Sequence, residues 1–126
     1  MIFTLTQVAL GGAIGAAARY LTGVVVVRLF GLTGFPLGVI TVNIVGSFLM
    51  GAFIVYAGQR GLTHLSPFVA TGILGGFTTF SAFSLETVTL IERGQAGLAA
   101  LYVGASVMCS VGALALGIWA VRGALA

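Results

Sequence analysis

The chain has 126 residues, 60% of them hydrophobic, with five basic and two acidic side chains and a mean hydropathy of +1.22. A soluble domain carries roughly a quarter charged residues, so this composition excludes one and reads as a single all-α membrane domain over residues 1–126. The basic pI of about 9.8 rests on five scattered arginines and no lysine, which leaves no basic patch for nucleic acid.

A spanning helix needs ~20 mostly apolar residues, and four segments supply them: 2–30, 36–57, 66–92 and 95–122. The first superficially resembles a secretion signal, with Ala16-Ala17-Ala18 as a mock cleavage site. No positive region precedes it, so a retained helix is expected. It carries Arg19 in its interior and no acid. A loop ending in Pro36 leads into the second span, where Asn43 is a lone amide of the kind that joins helices at ~0.6 kcal/mol. His64 lies in the next loop without a cysteine or carboxylate partner, so it reads as solvated rather than catalytic. Glu92-Arg93-Gly94 is a tight turn into the last span. There Cys109 reads as a small buried apolar group, and Tyr102, Ser106 and Ser110 share one helix face. Small residues recur at contact spacing, as Gly11/Gly15 and Gly72/Gly76, and read as close helix packing. No catalytic constellation is present, and an enzyme is not expected.

Four spans put Arg60 and Arg122 on one side of the membrane and Arg28 and Arg93 on the other. The Lys/Arg difference between faces orients a membrane protein; here the tally is even. The same chain is therefore expected to insert both ways and to pair as an antiparallel, dual-topology homodimer. A chain this short does not enclose a pathway alone, which points the same way.

The third span holds the sharpest signal, Gly75-Gly76-Phe77-Thr78-Thr79-Phe80-Ser81-Ala82-Phe83-Ser84. Glycine is costly inside a helix, and irregular backbone at membrane depth survives only where protein buries it or water lines it. The run predicts a helix broken at its centre, with carbonyls freed before the break and amides after it. In an antiparallel dimer such carbonyls meet their symmetry mates near the midplane and suit a small cation. Phe77, Phe80 and Phe83 recur at every third residue and predict an aromatic stripe if helix resumes after the glycines. Ring edges attract an anion without a fixed charge that would trap it. Glu86, deeper in this span, is expected at a depth similar to that of Arg19. An ion pair between them and a charged vestibule that gathers anions are both open. For Ser106 and Ser110, a bond back to their own helix and a ladder of donors for a dehydrated anion are both open.

On these residues the chain resembles the Fluc/CrcB fluoride channels. The likeness runs through Gly11-Gly12-Ala13-Ile14-Gly15 with Arg19-Tyr20, through Asn43-Ile44-Val45-Gly46, and through the third-span string from Gly72 to Glu86. The resemblance implies a dual-topology homodimer with two pores, each built from both subunits. It implies that Phe80 and Phe83 contact fluoride by their edges beside Asn43. It further implies that the carbonyls of Gly75 and Thr78 hold a structural sodium ion, and that Ser106 and Ser110 form a polar track near Tyr102. With Thr79, these are the candidate pore residues. Leu114 and Ala82 depart from the family pattern, where hydroxyl residues are common. The implied function is passive fluoride export across a cell inner or plasma membrane. A proton-coupled small multidrug exporter is the alternative of similar size, but it needs a carboxylate in the first span, and residues 2–30 have none.

Overall fold

A computed structural model describes residues 1–126. It is all-helical, with four helical stretches long and apolar enough to cross a membrane: Ile2–Phe30, Leu37–Arg60, Thr63–Glu92 and Ala96–Leu125. The first, second and fourth are uninterrupted helices, α1 (Ile2–Phe30), α2 (Leu37–Arg60) and α5 (Ala96–Leu125). Glycines in the left-handed region, Gly31, Gly61 and Gly94, turn the chain at the three connections, as expected where φ is positive.

The third span is compound. A 3₁₀ turn at Thr63–Leu65 leads into a π-helix over Pro67–Leu74, then a single turn of α3 (Gly75–Phe77), a break, and α4 (Phe80–Glu92). The break does not fall at the paired glycines. Gly75 is ordinary right-handed helix (φ −64°, ψ −37°), whereas Thr78 (φ −82°, ψ 156°) and Thr79 (φ −150°, ψ 115°) are extended. Two adjacent β-branched residues favour extended backbone, and each hydroxyl finds local work. Thr78 Oγ1 donates to the Leu74 carbonyl (3.0 Å), and Thr79 Oγ1 caps α4 by accepting from the Ala82 amide (3.1 Å).

Gly76 serves the packing of α1 instead, as do the glycines around it. A Cβ on Gly11 would strike the Phe68 carbonyl and Gly72, one on Gly15 the Ile73 carbonyl, and one on Gly76 the Gly12 carbonyl at 2.7 Å. Both glycine stripes thus face one another, and α1 runs parallel to the first half of the third span at backbone contact. Similarly, Gly51 of α2 meets the Leu114 carbonyl of α5, and Gly117 of α5 meets the Phe48 carbonyl of α2. Two tight pairs result, with α2 also reaching the break.

Asn43 of α2 makes that last contact. Its Oδ1 accepts from the Thr79 amide (2.8 Å) and its Nδ2 donates to the Thr79 carbonyl (3.1 Å). One amide side chain therefore satisfies both backbone groups of the residue that leaves the helix. Only 15 residues are buried within the protomer, so most of its apolar surface faces lipid or another chain.

Gly15→Ala should lower the melting temperature of the purified protein through a loss of ~1–3 kcal/mol from forced separation of α1. Gly12→Ala, whose Cβ meets nothing within 4 Å, should not destabilise the protein and should gain up to ~1 kcal/mol from helix propensity. Asn43→Ala should cost ~1–3 kcal/mol per unpaired group and should speed hydrogen exchange at the Thr79 amide.

Candidate functional site

The break, α2 and α5 enclose three sides of an open cavity of about 400 Å³. Asn43, Thr78, Thr79, Phe80, Phe83, Ser106 and Ser110 all line it, together with Leu114. Every lining side chain is uncharged. Phe80 stands at the open edge, 78% exposed. Its ring lies 5.4 Å from that of Phe83, tilted by 49°, and Phe83 lies 5.4 Å from Tyr102 at 35°. Tyr102 does not line the cavity. It is fully buried behind Phe83, with Phe35 edge-on at 5.5 Å.

The aromatic stripe is shorter than its spacing suggested. Extended backbone at Thr78 and Thr79 takes Phe77 out of register with Phe80, and Phe77 packs against α1 and α2 near Gly15 and Gly46. In exchange, α2 contributes Gly46, Ser47 and Met50 to the lining. Of these only Gly46 was part of a motif in the sequence; Ser47 and Met50 were not singled out, although all three follow Asn43 at the helical spacing of three, four and seven.

The buried hydroxyls on α5 differ from six others in the spans. Thr6, Thr22, Thr41, Ser84, Thr87 and Thr89 each donate to the carbonyl four residues back, at 2.6–3.0 Å. Ser106 Oγ, Ser110 Oγ and Tyr102 Oη are buried and have no hydrogen-bond partner at all. The back-bonded alternative is thereby set aside for both serines. A buried hydroxyl without a partner carries a desolvation cost of ~1–3 kcal/mol, so the two that line the cavity, Ser106 and Ser110, call for a partner outside the protomer.

Arg19 and Glu86 do not meet. Arg19 Nε donates to the Gly76 carbonyl at 3.1 Å, level with the break, because α1 begins well before the π-helical segment it packs against. Counting residues from the span ends therefore misjudged the depth. Arg19 lines a second, smaller cavity of about 80 Å³ with Thr79 and Ala82, and Glu86 lines neither cavity. Neighbouring carbonyls are free: neither Gly75 nor Thr78 accepts a hydrogen bond through its backbone oxygen, since the Thr79 and Ala82 amides go to Asn43 and to the Thr79 hydroxyl. His64 is exposed, as is Cys109, which corrects the expectation that Cys109 is buried.

Residues 6–118 match the family described as CrcB-like protein, Camphor Resistance (CrcB). A protein of Ruegeria sp. (strain TM1040) named fluoride-specific ion channel FluC is 67% identical over 125 residues, 99% of both chains. Relatives of the same name from Cereibacter sphaeroides (strain ATCC 17029 / ATH 2.4.9) and Paracoccus denitrificans (strain Pd 1222) are 61% and 50% identical across the whole of both chains. With a family match across nearly the full length and relatives this close, the chain belongs to the CrcB family.

Proposed function

We propose that this chain is the protomer of a fluoride-selective channel that exports the anion passively. The observation that carries the reading is the pair of unpartnered hydroxyls, Ser106 and Ser110, beside the Phe80 and Phe83 rings in an uncharged cavity. A fluoride ion entering such a site has lost its hydration shell and needs donors. Hydroxyl protons and ring edges supply them, and the absence of a fixed charge lets the ion leave again. The printed names of the relatives support the same substrate.

Asn43 acts as a positioning residue: by holding Thr79 on both sides it fixes where the hydroxyls of the break and the Phe80 ring stand. A potential negative inside is worth ~2.3 kcal/mol per charge per 100 mV, enough to drive the anion outward without a coupled reaction. The membrane is the inner or plasma membrane of the cell.

The cavity is open on one side, and Phe80 is mostly exposed. A second copy in the inverted orientation closes it, giving an antiparallel homodimer with the two breaks opposed near the midplane. The Gly75 and Thr78 carbonyls of both copies then hold a sodium ion as a structural link. They fit that role, being neutral hard oxygen donors without hydrogen bonds. The exporter alternative has no supporting feature, since α1 has no carboxylate.

In proteoliposomes the protein should release fluoride and retain chloride. Phe80→Ile should abolish the flux, and Ser110→Ala should reduce it several-fold, with the dimer intact by cross-linking; undiminished flux in both refutes the pathway. A reporter fused to the C-terminus should give signal from both sides of the membrane, and a one-sided signal rules out dual insertion.

A further inference from the structure

The interrupted span ends its first half at Gly75–Phe77, and the carbonyls of that last turn point out of the helix end. Such an end carries partial negative charge. Arg19 takes one of these oxygens, Gly76, while the flanking Gly75 and nearby Thr78 oxygens accept no hydrogen bond. No carboxylate neutralises the guanidinium. Its only hydrogen bond is to that carbonyl, and Glu86 lies elsewhere. A fixed positive charge thus sits at the Gly76 oxygen, one residue from the free oxygen of Gly75 and two from that of Thr78.

We propose that Arg19 sets the affinity and the valence selectivity of the cation site formed by the Gly75 and Thr78 carbonyls. The inference rests on the sodium reading given above. A cation at those oxygens lies within about one helical turn, ~5 Å, of the guanidinium. At that separation and an effective dielectric near 20, like-charge repulsion weakens a monovalent ion by at least about tenfold. The repulsion energy doubles for a divalent ion, so the same site disfavours it by at least about a hundredfold. Arg19 therefore does two jobs with one side chain. It satisfies a carbonyl that lipid cannot, and it keeps the remaining oxygens from becoming a divalent site.

The test is thermal unfolding of the purified full-length protein, titrated with sodium against N-methylglucamine at constant ionic strength, with calcium as a second series. Wild type should be stabilised by sodium and should need at least tenfold more calcium for the same shift; equal response to calcium overturns the proposal without any variant. Arg19→Gln keeps an amide donor for Gly76 and loses the charge. It should move the half-saturating sodium concentration down by about tenfold or more and should acquire stabilisation by calcium. Arg19→Lys should retain the wild-type midpoint. A purely structural role would lower every melting temperature and leave the half-saturating concentrations where they were, and that result refutes the proposal. A wild type indifferent to sodium removes the cation site itself, and this inference with it. A sodium-responsive wild type with an unmoved Arg19→Gln removes the inference alone.

Discussion

A backbone amide or carbonyl left without a partner in the hydrocarbon of a bilayer costs several kcal/mol, and this constraint organises the protein around residues 78 and 79. Once two threonines leave the helix, their backbone groups have to be met by something other than water. Asn43 meets both groups of Thr79, Arg19 meets Gly76, and the Thr78 and Thr79 hydroxyls close the two helix ends. These partners come from α1 and α2, which must approach almost to backbone contact to deliver them. Glycines at 11, 15, 46 and 72 make that approach possible. Packing and site are the same problem here, solved by the same residues.

That coupling explains what could be read in the chain beforehand. The four spans followed from composition, because a ~20-residue apolar run has few other uses. The α5 hydroxyls and Asn43 stood out because polar groups at depth need reasons. The break was expected at the middle of this span and falls there, at Thr78–Thr79. Which residues of the run leave the helix was less legible: propensity favoured Gly75 and Gly76, yet both stay helical, Gly76 against Gly12 of α1, and the β-branched pair beyond them yields. A helix resuming directly after the glycines would have kept Phe77 in a stripe to which it does not belong. The π-helix over Pro67–Leu74 leaves no periodic signature, so the offset between α1 and the third span, and with it the separation of Arg19 from Glu86, was not legible. Ser47 and Met50 were legible from Asn43 by helical spacing alone.

The arrangement separates charge from pathway. The larger cavity is lined by hydroxyls, an amide and aromatic or aliphatic groups, and no charged side chain reaches it. Six hydroxyls in these helices are quenched by the carbonyl one turn back, which makes them compatible with lipid and unavailable to a ligand. Ser106, Ser110 and Tyr102 are held out of that arrangement at a real cost in stability. On the proposed pathway that cost is offset by a ligand that must be stripped of water and then released. An arginine in the same wall would bind a small anion too firmly to pass it.

Arg19 shows how the fold keeps this separation while using a charge at depth. Held by the Gly76 carbonyl beside the smaller cavity, it stays off the larger one. Its placement bears on insertion as well. Arg28, Arg60 and Arg122 sit in the last turns of α1, α2 and α5, and Arg93 caps α4, so the two membrane faces carry equal numbers of arginines. The fifth would break that tie if it lay near a span end. Anchored at the break, it stands away from both loops, where charge has least influence on orientation. The hydrogen bond that completes the interrupted helix is thus also what leaves the chain free, on the proposed dual insertion, to meet an inverted copy of itself.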